Sequence, residues 1–151
     1  MAISTEFHKR FVDLADDIDE ANKTKRANII GISNSTYFNA YNYGIVPNVN
    51  SLIRIANYFN VSVDFLVGNT DSENFSMAHN PATFSERLNY LREKNGIPTV
   101  YALADQLHIH RNIIRQWLNK SYLPELDNLT VIAEFFDVSL DYLLGRTDYE
   151  R

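Results

Sequence analysis

Apolar residues recur at helical spacing near the start of the chain, at Phe7, Phe11, Leu14 and Ile18, and again at Phe84, Leu88 and Leu91. Residues three and four apart share a helix face, so each run predicts an amphipathic opening helix. A later stripe, Leu52, Ile55, Ala56 and Phe59, returns as Leu129, Ile132, Ala133 and Phe136 and follows the i, i+3, i+4, i+7 rule. These stripes are expected to be core faces. Ser62 and Ser139 are placed to cap a short final helix, with Asp64 and Asp141 near its positive end and Gly68 and Gly145 ending it. No segment reads as a strand.

The stripes belong to a longer repeat. Phe7 and Phe84 begin similar segments, and the offset between them, 77, holds to the end of the chain without a gap. It pairs Arg10 with Arg87, Leu14 with Leu91, Ala27 with Ala104, Ile32 with Ile109, Asn42 with Asn119 and Pro47 with Pro124. It also lays VSVDFLVGNTD (61–71) on VSLDYLLGRTD (138–148). Shared hydrophobic spacing alone would keep the apolar positions and not the Arg, Asn, Pro, Asp and Gly matches. The chain therefore reads as two homologous domains, 1–74 and 84–151. The join, 75–83, is a linker candidate in a stretch that is mostly polar and contains Pro81.

Between its first and fourth helices each copy has a short helix, a turn and another short helix. In the second copy this is TVYALADQLHIHRNIIRQWLNKSYLP (99–124). Leu103, Ala104, Leu107, Ile109, Ile114, Asn119, Lys120 and Pro124, followed by Leu129, Ile132, Ala133 and the VSLDYLLG ending, resemble the Cro and phage-repressor type helix-turn-helix domain, the XRE family. The resemblance covers almost all of 84–145. It implies an all-α chain of two tandem five-helix, lambda-repressor-like DNA-binding domains, with helix three of each in the major groove and helix two across the backbone. On that geometry the recognition helix of the second copy begins at His110 as its cap. Arg111, Asn112, Arg115 and Gln116 then face outward as candidate base contacts, with Ile113, Ile114, Trp117 and Leu118 between them. Arg, Asn and Gln are the residue types able to make bidentate bonds to guanine or adenine edges. Lys120, and the helix start at Thr99, are the candidate phosphate contacts. A solvated polar face is the plain alternative, and one-sided charge argues against it, since no acid lies between Gln106 and Pro124.

The first copy departs from this pattern. Its segment is NKTKRANIIGISNSTYFNAYNYGIVP (22–47), where Ser33 caps and Asn34, Ser35, Thr36, Phe38 and Asn39 take the DNA-facing positions without any Arg or Lys. Asn34, Ser35 and Asn39 are its candidate base contacts, with Phe38 suited to a thymine methyl. Lys23 and Lys25, with Arg26 beside them, are its candidate phosphate contacts. Arg26, however, stands where the family prefers a buried Leu. Phe38 with Tyr37, Tyr41 and Tyr43 makes an aromatic cluster that suits a protein interface equally well. Both readings of this copy stay open.

Charge adds a constraint. The 151 residues carry 14 basic and 19 acidic groups, a net charge of -5, which counts against nucleic-acid binding unless the bases cluster. Residues 1–74 hold 6 basic and 9 acidic groups, and 78–151 hold 8 and 10. Asp13, Asp16, Asp17, Asp19 and Glu20 gather at the end of the first helix, where they read as a solvated acidic back, since no calcium-loop spacing accompanies them. Zero Cys excludes disulfides, thiolate zinc sites and cysteine nucleophiles. His108 and His110 read as turn and cap residues, and no GxGxxG, GK[ST] or GxSxG string occurs. No catalytic residue, metal or cofactor is expected.

With no secretory start and no long apolar run, the expected place is the cytoplasm, away from membranes. The expected function is a sequence-specific, double-stranded DNA-binding transcriptional regulator, a repressor, working as a homodimer or an intramolecular pseudo-dimer. The alternative is a protein-interaction module on the same scaffold, with the N-terminal copy as the interface. An antitoxin-like regulator would do both.

Overall fold

The computed structural model describes residues 2–120 and 122–151, and of Lys120 only its place in a helix. The described residues are all-α: ten helices, with one isolated bridge between Ile3 and Ile45. The chain divides into two compact units, Met1–Phe75 and Ser76–Arg151.

Short polar side chains start the helices. In the first unit α1 (Thr5–Asp16), α2 (Lys23–Ile30), α3 (Asn34–Tyr43), α4 (Val49–Phe59) and α5 (Val63–Leu66) begin after Ser4, Asn22, Ser33, Asn48 and Ser62. Each of these side chains accepts from a first-turn N–H that the helix itself cannot satisfy. In the second unit Thr83 and Glu86 form a reciprocal capping box on α6 (Phe84–Lys94), while Thr99 caps α7 (Val100–Leu107) and Ser139 caps α10 (Leu140–Leu143). His110 Nδ1 accepts from the Asn112 N–H at 3.1 Å, opening α8 (Arg111–Lys120). The start of α9 (Leu126–Phe136) at Glu125 has no side-chain cap. Left-handed residues end several helices: Gly31, Gly44, Asn60, His108 and Asp137.

Each core forms where its stripes meet. Phe7 and Phe11 stack at 5.6 Å, Phe11 meets Tyr37 edge-on at 5.5 Å, and Leu52, Ile55 and Leu66 close around them. In the second unit Phe84 lies edge-on to Trp117 at 5.9 Å among Leu88, Leu91, Leu103, Ile114, Leu129 and Ile132. The stripes are narrower than their spacing suggests. Leu14 and Ile18 are half-buried, and Ile18 lies beyond α1, which ends at Asp16 as the Asp17 and Ile18 N–H groups turn back to Leu14 and Ala15. Phe59 and Phe136 are also half-buried, each edge-on to an exposed aromatic neighbour, Tyr58 and Phe135.

An arginine fastens the last helix of each unit to the first. The Arg10 guanidinium stacks on Phe65 at 4.4 Å, donates to the Phe65 and Thr70 carbonyls and pairs with Asp71 at 2.9 Å. Arg87, at the matching position, stacks on Tyr142 at 4.0 Å and pairs with Asp148 at 3.7 Å. Asp64 and Asp141 do more than face a helix dipole: both are buried, with Asn69 donating to Asp64 at 3.0 Å and Arg146 paired with Asp141.

Gly145 is required by a close approach. Its φ is +72°, and a Cβ there would sit 1.7 Å from the Ala82 carbonyl oxygen, whereas Gly96, with φ +70°, has open space around the same atom. Gly96→Ala is expected to cost about 1–2 kcal/mol from backbone strain alone. Gly145→Ala is expected to cost roughly 3–4 kcal/mol, because the backbone must also move. Urea unfolding followed through the fluorescence of Trp117, the single tryptophan, checks the difference within one unit.

Candidate nucleic-acid interface

The segment from α7 to α8 forms around a sharp turn. His108 takes φ 57°, the N–H groups of His108 and Ile109 both return to the Ala104 carbonyl, and His110 opens the next helix two residues later. Ile114 and Trp117 then face inward and fix the rotation of α8. That rotation exposes Asn112, Arg115, Gln116 and Asn119. Arg111 is half-buried, with its guanidinium 4.7 Å from the centroid of the Tyr101 ring. Spacings of four place Arg111 beside Arg115 and Asn112 beside Gln116 on one strip. Ile113, grouped by the sequence with the inward residues, is exposed at the edge of the buried line of Ile114 and Trp117.

The electrostatics of this strip differ from the rest of the chain. Arg10, Arg26, Arg87, Arg92, Arg146 and Arg151 are all ion-paired, and Arg54 donates to the Gly31 carbonyl at 3.0 Å. Among the described residues Arg111 and Arg115 have neither an ion pair nor a hydrogen bond from their guanidinium groups. Two full sets of donors are left to solvent or a ligand. Thr99 uses its hydroxyl oxygen as a cap, accepting from Ala102 at 3.0 Å, so an anion at the start of α7 would meet first-turn backbone N–H groups. The side chain of Lys120 lies outside the described residues.

The corresponding strip of the first unit is neutral. Asn34 and Ser35 are exposed and Asn39 is half-buried. Ser35 Oγ lies 3.3 Å from the capping Ser33 Oγ, which also donates to Thr36 at 2.8 Å. Lys25 is exposed, and Lys23 stacks on the Tyr41 ring at 4.0 Å. Arg26 is not available to a phosphate. Its side chain is 12% exposed, and it donates to the Glu20 carbonyl at 2.5 Å, to Tyr37 Oη at 3.3 Å and to Asp16 at 3.2 Å. A guanidinium in the place of a core leucine needs acceptors, and the acidic run supplies them, so Asp16 and Glu20 are not simply a solvated helix end. Tyr41 donates to Asp16 at 2.7 Å, and that bond holds its phenol above the ordinary tyrosine range.

The aromatic cluster of α3 divides in two. Tyr37, 2% exposed, is core and stacks on Tyr41 at 5.5 Å, while Phe38 and Tyr43, 53% and 56% exposed, meet edge-on at 5.7 Å on the outside. The signal for Tyr37 was present in the repeat, since it aligns with the buried Ile114.

Residues 85–148 match the family described as a helix-turn-helix domain. The geometry from α7 to α8 agrees. This stretch is similar to a helix-turn-helix domain. Among curated proteins the chain is 35% identical over 65 residues to an uncharacterized HTH-type transcriptional regulator, YobD of Bacillus subtilis, a match covering 43% of this chain and 57% of that protein. It is 36% identical over 62 residues to the HTH-type transcriptional activator BcrR of Enterococcus faecalis, covering 41% of this chain and 30% of that protein. The chain thus spans between about a third and just over half of the length of these relatives. No solved structure gives a significant match. Among the described residues no helix is long and apolar enough to cross a membrane.

The Arg26 network yields a stability prediction. Arg26→Leu, which copies Leu103, is expected to destabilise the first unit by about 1–2 kcal/mol, since it removes the donor to the Glu20 carbonyl and the Tyr37 hydroxyl and leaves Asp16 with Tyr41 and solvent. Arg26→Leu/Tyr37→Ile, copying the Leu103 and Ile114 pair, should recover part of that stability. Thermal unfolding followed by circular dichroism measures both.

Proposed function

We propose that the chain is a sequence-specific, double-stranded DNA-binding transcriptional regulator that acts in the cytoplasm through two tandem helix-turn-helix domains of the XRE type. The domains are 1–74 and 84–151, joined by 75–83. The observation that carries this reading is the α8 strip, where, among the described residues, Arg111 and Arg115 stand without an ion pair or hydrogen bond from their guanidinium groups, beside Asn112 and Gln116. Arginine donors left free at a recognition helix suit the O6 and N7 acceptors of guanine, and Asn and Gln suit the adenine edge. The start of α7 at Thr99, with Lys120, would hold flanking phosphates and so set the register. The names of the matched relatives support regulation of transcription as the biological role.

In this reading the N-terminal domain contributes a weaker contact, with Asn34, Ser35 and Asn39 toward bases and Lys23 and Lys25 toward phosphates. The two domains then read unlike half-sites as an intramolecular pseudo-dimer. The exposed Phe38 and Tyr43 pair favours a second reading, in which this domain is a protein interface that makes a homodimer. Repression is the proposed direction of control, because excluding polymerase requires only that the site be occupied. A reporter gene behind the selected site tests the sign, since BcrR is by name an activator.

Selection from randomised duplexes, followed by anisotropy titration at two salt concentrations, tests the proposal. One sequence is expected to be enriched. Arg111→Ala/Arg115→Ala should weaken binding to it by roughly 5-fold to 150-fold for each arginine that bonds a base edge in bidentate fashion, at about 1–3 kcal/mol apiece. An asymmetric site identifies the pseudo-dimer and a palindrome the homodimer. If no sequence is enriched and the variant matches wild type, the DNA reading fails in favour of a protein partner.

A further inference from the structure

Among the described residues Arg111 and Arg115 both lack an acidic partner, but their surroundings differ. Arg111 is half-buried against Tyr101, a residue in the first turn of α7 that is itself 60% exposed, while Arg115 is exposed with no aromatic partner among the described residues. The ring therefore holds Arg111 and fills no core space in doing so. A carboxylate would orient a guanidinium by consuming its N–H donors. An aromatic face instead attracts the cation through the ring quadrupole and leaves the donors at the edge of the guanidinium plane unoccupied.

The other stacked arginines show what such an arrangement does when the donors are used. Arg10 and Arg87 also lie over aromatic rings, at 4.4 Å and 4.0 Å, and their donors are taken up by Asp71, by the Phe65 and Thr70 carbonyls, and by Asp148. Arg111 has the stack without the acceptors. The 77-residue offset places Thr24 and Asn34 at the positions of Tyr101 and Arg111, so the first unit has no such pair.

We infer that Tyr101 is a positioning residue for Arg111: it presets the guanidinium so that its donor edge meets one base pair, and thereby sets the base preference at that pair. The inference rests on the DNA reading proposed above and assigns a role to a residue that need not touch a base. Arg115, without a ring, is ordered only on binding. Tyr101 thus acts on selectivity at a single position, not on attraction to DNA in general.

The experiment uses the full chain and the duplex enriched by selection, together with duplexes substituted at each base pair in turn. Wild type, Tyr101→Phe, Tyr101→Leu, Arg111→Ala and Tyr101→Leu/Arg111→Ala are titrated by anisotropy. The base pair whose preference disappears in Arg111→Ala is the one that Arg111 reads. Tyr101→Phe should keep that preference, since the ring remains. Tyr101→Leu should lower discrimination at that pair by roughly 2–5-fold, the factor that a cation–π interaction at an exposed site corresponds to, and leave the other pairs unchanged. The double variant should discriminate no worse than Arg111→Ala alone. In the free protein the Arg111 side-chain N–H resonance should carry a ring-current shift that Tyr101→Leu abolishes.

If Tyr101→Leu keeps full discrimination at that pair, or weakens every duplex equally as removal of a phosphate-binding group would, the positioning role is overturned while the DNA reading stands. A wild type that selects no sequence overturns both. Trp117 fluorescence verifies that each variant remains folded.

Discussion

The arginine of the first helix in each unit is the interaction on which the arrangement of helices depends. Arg10 and Arg87 each reach an aromatic ring on the last helix and an aspartate in the segment that follows it. The first helix is thereby tied to the end of its unit, and it also packs on the third helix, α1 on α3 and α6 on α8. In the second unit the Phe84 ring against Trp117 turns this into orientation: the face of α8 that meets α6 is fixed, so the face carrying Asn112, Arg115 and Gln116 is fixed as well. A four-residue helix such as α10 would not persist alone in water. Its Ser139 cap, buried leucines and the Arg87 contact make it part of the frame.

The two units solve one core position in different ways, with opposite consequences at the surface. Leu103 and Ile114 pack without polar atoms, so the second unit needs no nearby acids, and the α8 strip keeps its positive charge. Arg26 and Tyr37 occupy the matching positions in the first unit and bring Asp16 and the Glu20 carbonyl with them. Tyr41 and Lys23 join the same neighbourhood, the first bonded to Asp16 and the second stacked on Tyr41. The cations of α2 are therefore partly engaged within the fold, and the outer face of α3 is left to amides, hydroxyls and the Phe38 and Tyr43 rings.

Most of the helical frame was legible because caps and apolar spacing are local signals. Ser33, Ser62, Ser139, Thr99 and His110 act where their positions suggested. Features that arise between elements were harder to read. The Ile3 to Ile45 bridge is one residue long and leaves no alternation to detect. Arg26 carried two signals, a base suited to phosphate and a place where the family prefers a buried Leu, and its acceptors on the α1 end and Tyr37 decide between them. Tyr37 was grouped with its exposed neighbours by composition, although its register marked it as core. The Tyr101 and Arg111 pair spans a turn, so no helical spacing predicts it.

Net charge misleads here for a reason that energetics explains. A guanidinium buried away from water and left without acceptors would cost far more than an exposed ion pair returns, because desolvation is large while surface pairs stabilise by only about 0–1 kcal/mol. Carboxylates are accordingly found beside Arg10, Arg26, Arg87 and Arg146, where burial demands them. Leaving the exposed Arg115 unpaired costs folding little, since water satisfies its donors. The Tyr101 ring partly shields Arg111 while leaving the donor edge open. The sum over the chain counts every internal pair and hides this difference. An approaching anion meets only what the fold has left uncompensated, and on α8 that residue of charge is positive.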